Sequence, residues 1–227
     1  MPRLLHFSLD PASRRIRLAL AEYGVNYDAT EERPWQAGPD LFAANPAGTV
    51  PVFIEDDGSA VCGSEAVSEY LEETRGADLP LIPGDALARA EVRRLVSWFD
   101  TKFYAEVSEP VLTEKVIRRF LPRAAGGGAP DMSRIRHGLS LLRGHLDYIA
   151  ALADARPFLA GPDLSMADLA AAAHLSAIDY LGDIPWADHS GAKSWYQRLK
   201  SRPSFRSLLA DQLPGMAPAG SYADLDF

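Results

Sequence analysis

The stretch Asn45–Pro51, with the sequence NPAGTVP, leads into a predicted strand over residues 50–55. Residues 60–62 are apolar or small and predict the partner strand of a hairpin, because Asp56-Asp57-Gly58 between them is a turn sequence. A cis peptide bond before Pro51 would place the backbone of Val50 at an exposed strand edge, and a cis proline in such a turn is usually a retained feature. The stretch therefore predicts a strand edge at which a ligand could bind.

The residues on either side of this hairpin predict a small α/β unit. An apolar run at 4–7 indicates a first strand, and helical spacing of apolar residues over 12–23 indicates a helix that Gly24 ends. Further elements are a second strand at 25–30, a short helix at 40–45 and a last helix at 64–74. This order predicts a thioredoxin-like N-terminal domain over 1–78.

The remainder of the chain predicts only helices. Their approximate positions are 86–107, 111–121, 133–153, 166–180 and 191–200. A segment rich in Gly, Pro and Asp precedes them and predicts a linker at 79–85, and residues 211–227 form a tail punctuated by Pro and Gly. We therefore expect an α/β domain, a linker, an all-helical C-terminal domain over 86–210 and a tail.

Composition and charge exclude several classes of protein. The chain has 227 residues, of which 47% are hydrophobic and 24% charged, as in folded proteins with a sizeable core. No apolar run approaches the length of a membrane-spanning helix, the first residues lack a signal-peptide pattern, and Cys62 is the only cysteine. The net charge of −8 argues against nucleic acid as a partner. We expect a cytoplasmic protein without membrane insertion.

The negative charge is confined to the first part of the chain. Residues 1–80 contain 6 Lys and Arg against 14 Asp and Glu, whereas residues 81–227 contain 17 of each. This asymmetry supports a division into two domains.

Two helix starts carry polar residues with a defined role. Ser64 opens the helix at 64–74, where free backbone N–H groups and the helix dipole favour a carboxylate. Ser165 and Asp168 have the spacing of a capping box and are interpreted as a folding signal.

Taken in this order, these features resemble the cytosolic glutathione transferases over residues 3 to about 210. The resemblance implies that the Val50-Pro51 pair binds the cysteinyl backbone of glutathione. It also implies that Gly63 and Ser64, which open the third helix, occupy the positions that hold the γ-glutamyl end.

Two residues depart from the family pattern at positions that matter for catalysis. Asp10 stands where many members have a Ser or Cys beside the glutathione sulfur, and an ionised carboxylate repels a thiolate instead of stabilising it. Gly63 replaces the Glu or Gln that binds the substrate's ammonium group. Ser13 is the weak alternative candidate for a catalytic hydroxyl. We therefore expect no catalytic residue and no cofactor, glutathione being the one candidate that the resemblance suggests.

Other polar residues are assigned structural roles. The five histidines show no metal-ligand spacing, so no metal site is predicted, and His174 is interpreted as a core or interhelical residue. Cys62 is interpreted as an inert residue of an apolar strand.

The C-terminal segments at 200–211 and 222–227, together with Glu32–Trp35, look like those of a group of bacterial cell division proteins with this fold that bind FtsZ. The resemblance implies a homodimer that organises FtsZ polymers, promotes constriction and is recruited to the division site, with other division proteins as further partners. A tail of alternating aromatic and acidic residues also fits a partner-binding peptide. The candidate partner-binding residues are Trp35, Tyr222, Asp224, Leu225, Asp226 and Phe227.

Three functional interpretations remain open at this point. The first is a non-catalytic scaffold that binds FtsZ filaments, and the second is a glutathione-dependent transferase or peroxidase. The third is a small-ligand binding protein that reuses a degenerate glutathione pocket. The tail likewise has two interpretations, because its aromatic residues could instead pack across the protein's own helical domain.

Overall fold

The structure, a computed structural model, describes residues 1–227, of which the first 62 supply a four-stranded sheet. The strands are β1 (Arg3–His6), β2 (Asp28–Glu31), β3 (Val52–Ile54) and β4 (Ala60–Cys62), in the spatial order β2-β1-β3-β4. β1 is parallel to β2, while β3 is antiparallel to both of its neighbours. The predicted hairpin is therefore confirmed.

The second strand begins later than predicted. We expected it to start at Val25, but β2 starts at Asp28. The N–H of Val25 donates to the carbonyl of Leu20, so residues 25–27 still belong to the turn that leaves the preceding helix.

Side chains alternate between the two faces of the sheet along each strand, and both faces are covered by other parts of the protein. Three helices flank it: α1 (Pro11–Glu22), α2 (Pro39–Ala44) and α3 (Ser64–Arg75). Leu4 and Phe53 belong to the main core, which also contains residues of α1 and α3. Leu5, Val52 and Ile54 point to the other side and pack with Leu41 of α2.

The helical half begins with α4 (Ala86–Ser97), which continues without a break to residue 120 through wide π turns at Trp98–Ser108 and Thr113–Ile117. The short segments α5 (Glu109–Leu112) and α6 (Arg118–Phe120) belong to the same rod, called here the 86–120 helix. Our prediction of a break between 107 and 111 is wrong. Pro110 cannot donate a backbone hydrogen bond, but the helix continues past it with the wider hydrogen-bond pattern of π turns. The N–H of Glu109 donates to the carbonyl of Tyr104, five residues back.

Four more helices complete the chain. They are α7 (Met132–Ala155), α8 (Met166–Tyr180), α9 (Ser190–Lys200) and α10 (Arg206–Leu209). Every residue of α8 is buried, and α1 packs along it. The predicted capping box at its start is confirmed: Asp168 accepts from the backbone N–H of Ser165 at 3.1 Å, and also from Leu159 and Trp195.

The segment 79–85 is tied down by a buried carboxylate. One oxygen of Glu72 accepts from the N–H groups of Leu81 and Ile82 and from the hydroxyl of Tyr23. The side chains of Leu81 and Ile82 are buried in the main core. The connection between the two halves is thus part of the packed structure.

Buried arginines of α1 join the two halves. Arg14 and Arg17 both pair with Asp211, at 3.0 Å and 2.9 Å, and Arg15 pairs with Asp100 at 2.6 Å. Because the unpaired charges would be costly to bury, these pairs fix the orientation of the halves. The chain has no helix that is both long and apolar enough to cross a bilayer.

Candidate functional site

Asp10 caps the first helix through one of its two carboxyl oxygens, and its side chain also lines a cavity. Its Oδ2 accepts from the backbone N–H of Ser13 at 2.7 Å and from the Ser13 hydroxyl at 2.7 Å. Burial raises the pKa of Asp10, against the opposing effects of these hydrogen bonds and of His174. Oδ2 of Asp10 is therefore used to cap the start of α1.

Ser13 has no route to a ligand. Its side chain is fully buried, its proton goes to Asp10, and its oxygen accepts from the N–H of Phe7 at 3.3 Å. The structure thus gives no support to Ser13 as a catalytic hydroxyl, a role for which it was our weak candidate. Its physical role is to complete the N-terminal cap of α1.

A cavity of about 150 Å³ lies beside Asp10, between the first domain and the 86–120 helix. This is smaller than the roughly 300–1,000 Å³ of most small-molecule sites. Its wall is mainly apolar and includes Phe7, Leu9, Trp35, Tyr104, Leu112 and Ile117. The last three come from the helical half, and sequence reasoning missed them because nothing in their spacing indicates which loop they face.

Trp35 packs inward at this cavity and is not an exposed rim residue. Its ring meets Phe7 edge-on at 4.9 Å and stacks on Phe120 at 6.0 Å. The indole N–H is buried without a partner. Trp35 therefore belongs to the contact between the two halves, and its inward position gives no support to our assignment of it to a partner-binding surface.

The two remaining parts of the predicted glutathione site lie next to each other. The Val50-Pro51 peptide bond is cis, as predicted, and the N–H of Gly63 donates to the carbonyl of Pro51 at 3.0 Å. Gly63 has a φ of +85° and caps α3, with Ser64 half-buried as its first residue. A positive φ favours glycine. The backbone edge is thus retained, while Gly63 itself has no side chain that could bind an ammonium group.

Ser108, His174 and Asp100 form a chain of polar groups that superficially has the order of a hydrolytic triad. The hydroxyl of Ser108 lies 2.8 Å from Nδ1 of His174, whose Nε2 is 3.5 Å from Asp100. Ser108 is a fully buried helical residue, so it is not placed as a nucleophile beside an oxyanion site. The prediction that His174 is a core residue is confirmed.

The C-terminal tail is anchored at Tyr222, which we had expected to bind a partner. Tyr222 is fully buried, its hydroxyl donates to the carbonyl of Leu208 at 3.0 Å, and it accepts from Arg14 at 2.9 Å. The assignment of Tyr222 to a partner-binding surface is therefore wrong, because its ring and hydroxyl are used inside the protein.

Phe227 forms a second anchor for the tail. Its ring packs on Trp186 at 5.4 Å, and the ammonium of Lys200 lies 3.9 Å from the ring centroid. Lys200 is itself buried, and this desolvation lowers its pKa despite the carboxylate of Asp179. The aromatic residues of the tail thus pack on their own domain, as the second interpretation stated.

Only the outer side of the tail is free. Asp224, Leu225 and Asp226 are exposed, and Leu225 retains 41% of its accessible surface. Leu225 and Asp226 also line an open groove of about 740 Å³ between α7 and α9. These three residues are the part of the predicted partner surface that the structure leaves available. The chain brings together no three His, Cys, Asp or Glu side chains that could hold a metal ion.

The fold and the retained strand edge agree with the family comparison. Residues 11–74 match the glutathione S-transferase N-terminal domain, and residues 116–198 match the glutathione S-transferase C-terminal domain. The chain therefore belongs to the glutathione S-transferase family.

Within that family the chain is similar to a protein named for its localisation with FtsZ. FtsZ-localized protein A of Caulobacter vibrioides is 48% identical over 227 residues, covering 99% of this chain and 97% of that protein. The solved structure of FzlA from C. crescentus superposes with a TM-score of 0.94 at 48% identity, covering 100% of this chain and 99% of that one. A glutathione S-transferase from Sinorhizobium meliloti is equally similar, with a TM-score of 0.96, 48% identity and full coverage of both chains.

Proposed function

We propose that this protein is a non-catalytic member of the glutathione S-transferase family that binds FtsZ filaments, organises them and promotes constriction. It acts in the cytoplasm, is recruited to the division site and works as a homodimer, with other division proteins as further partners. The observation that carries the proposal is 48% identity across 99% of the chain to a protein named for its localisation with FtsZ.

The geometry beside the strand edge supports a non-catalytic role. Asp10 caps a helix, Ser13 is buried, Gly63 offers no carboxylate, and the adjoining cavity is small. Each lost polar partner for glutathione costs on the order of 1–3 kcal/mol, so two losses weaken binding by about a hundredfold.

A glutathione-dependent transferase or peroxidase is the second candidate. Two observations favour it: the cis Val50-Pro51 edge and Ser64 are retained, and the similar protein from Sinorhizobium meliloti is described as a glutathione S-transferase. The two candidates differ in their ligands and therefore separate in one set of measurements.

We assign the outer side of the tail to partner binding. Leu225 offers exposed apolar area, while the carboxylates of Asp224 and Asp226 favour a basic partner and speed the encounter. The inward-facing Tyr222 and Phe227 hold this surface in place.

Homodimerisation would give the scaffold two identical partner sites. Two sites on one rigid body crosslink or bend a polymer, and avidity raises the apparent affinity above that of one site.

We expect the dimer contact at the outer face of the first domain and on the helices near 92–103. Val92 and Phe103 are themselves buried in the core, so exposed neighbours such as Arg93 and Lys102 must make the contact. Light scattering that finds a monomer at micromolar concentration would argue against this assembly.

Co-sedimentation of the purified protein with polymerised FtsZ, run beside a calorimetric glutathione titration, tests the proposal. We expect co-sedimentation and no micromolar affinity for glutathione. Absence from the polymer pellet, together with micromolar glutathione binding or turnover of a chlorinated aromatic substrate, would favour the second candidate instead.

Asp226→Lys tests the tail surface more cleanly than a change at Asp224, because Asp224 accepts from the backbone N–H of Asp226 at 2.9 Å. We expect an unchanged melting temperature and weaker binding to FtsZ or to another division protein. Asp163→Lys is the matched control, since Asp163 is also exposed and lies in a loop outside the tail. If Asp226→Lys bound every division partner normally, the tail would have only a structural role.

A further inference from the structure

An open groove lies at the end of the 86–120 helix, where the chain turns toward α7. Its volume is about 410 Å³, within the roughly 300–1,000 Å³ of most ligand sites. The end of α8 and the first part of the tail supply its apolar lining, which includes Leu181, Met216, Ala217 and Ala219. None of the exposed tail residues 224–226 lines it, so the groove is separate from the tail surface.

The wall that the tail contributes to this groove is held in place by Tyr180. Its hydroxyl donates to the carbonyl of Met216 at 2.6 Å and accepts from the N–H of Leu213 at 2.8 Å. The N–H of Ala219 donates to the carbonyl of Tyr180 at 2.9 Å. A ligand therefore does not have to order this wall, which lowers the entropic cost of binding.

Two charged residues of the lining already have partners inside the protein. Glu114, the only acidic residue of the lining, is 3% exposed and accepts hydrogen bonds from Arg118 and Arg134. Lys115 donates to both carboxylate oxygens of Asp183, at 2.5 Å and 2.6 Å. These pairs leave neither a free negative nor a free positive charge at the bottom of the groove.

Arg119 is the third charged residue of the lining, and it is exposed and makes no ion pair. It belongs to the segment 115–136, which has six basic residues and one acidic residue in a protein whose net charge is −8. Arg123, one helical turn further along the sequence, is also exposed and unpaired. A guanidinium binds a carboxylate through two parallel hydrogen bonds, so the groove is complementary to an acidic ligand.

We propose that this groove binds an acidic peptide segment of a partner protein, with a carboxylate on Arg119 and an apolar side chain against Leu181 and Met216. Because the unpaired arginines continue beyond the groove to Arg123, the positive region fits an extended chain better than a single small carboxylate. The proposal does not require FtsZ to be the partner. It differs from the tail surface, whose carboxylates favour a basic partner.

The test is fluorescence anisotropy of a labelled synthetic peptide, in which Asp and Glu residues flank one Leu, titrated with the full-length protein at constant ionic strength. We expect saturable binding with a Kd below about 1 mM. Arg119→Glu should weaken this binding by about tenfold or more. Arg136→Glu is the matched control, because Arg136 lies in the same segment, is exposed and unpaired, and does not line the groove. Screening by salt should limit its effect to less than about threefold.

A second pair of variants tests the groove without changing the charge. Ala217 is exposed and lines the groove, so Ala217→Trp should fill it and weaken peptide binding by about tenfold, whereas Ala151→Trp, on the exposed surface of α7, should leave binding unchanged. Replacing the Leu of the peptide by Ser should weaken binding at least about threefold, because the apolar contact is lost. Thermal denaturation of each variant checks that it is folded.

The proposal is overturned if the peptide gives no saturable signal, if Arg136→Glu weakens binding as much as Arg119→Glu, or if Ala217→Trp binds like the unmodified protein. Octanoate that binds the groove as tightly as the peptide would identify a site for small carboxylates instead. Conversion of a dimer to a monomer by Ala217→Trp, measured by light scattering, would identify an interface between two copies of the chain. Either of these results would replace the peptide as the occupant.

Discussion

Removing one hydroxyl group should reveal how firmly the tail is anchored. In Tyr222→Phe the buried ring keeps its packing, but the hydrogen bonds to Leu208 and from Arg14 are lost. A hydrogen bond to a charged group contributes about 1.5–3 kcal/mol and a neutral one about 0.5–1.5 kcal/mol. Arg14 keeps its bonds to Ser176 and Asp211, so its charge stays paired. We therefore expect the free energy of unfolding to fall by about 2–4 kcal/mol.

The assay is urea unfolding by linear extrapolation, at one protein concentration because assembly contributes to the apparent stability. Tyr148→Phe is the matched control: its hydroxyl accepts only from exposed Arg94, at 3.0 Å, and the loss should stay below about 1 kcal/mol. Equal losses in the two variants would refute the argument that Tyr222 locks the tail to α1.

Two further predictions concern the first domain. Burial, with a smaller contribution from Arg17, lowers the pKa of His6 from its ordinary value of 6.5 to about 4. The contribution of neutral His6 to the free energy of unfolding is therefore complete above pH 6.5. It is lost as the pH falls toward 4, because the unfolded chain takes up the proton first. Between pH 7 and pH 5 the unmodified protein should lose about 2 kcal/mol more than His6→Gln in urea unfolding, and parallel losses would exclude His6 as the cause. Asp10→Ala should lower the free energy of unfolding by about 1–2 kcal/mol, because the helix cap is lost. Asp10→Asn keeps a good capping residue and should cost less than about 0.5 kcal/mol, measured for both variants by thermal denaturation. Similar losses in the two variants would indicate that the charge of Asp10 matters more than its cap.

Local signals predicted most of the fold. The hairpin, the cis bond before Pro51 and the capping box at Ser165 each depend on neighbouring residues, and all three are present. The continuous 86–120 helix was missed because Pro110 normally ends a helix, and only the hydrogen bonds of the finished structure show that π turns absorb it.

The candidate site was harder to predict because its residues depend on distant partners. The sequence predicts Tyr222 to be an exposed aromatic residue of the tail. In the structure the guanidinium of Arg14, 208 positions away, donates to its hydroxyl. Trp35 likewise meets Phe120 only after the two halves have packed. Asp10 was singled out as a departure from the family pattern, but its role as a helix cap depends on the rotamer that turns its carboxyl group toward Ser13.

The inward direction of three arginines changes the field that the protein presents to its surroundings. The first 80 residues have only six basic side chains, and Arg14, Arg15 and Arg17 are buried against carboxylates of the second half. Most of the acidic side chains in the same region, by contrast, face solvent. The molecule therefore has an electric dipole, with its negative end on the first domain. At physiological ionic strength this field extends about 8 Å, so it would turn an approaching basic surface toward that end before any contact forms, and added salt would slow the encounter.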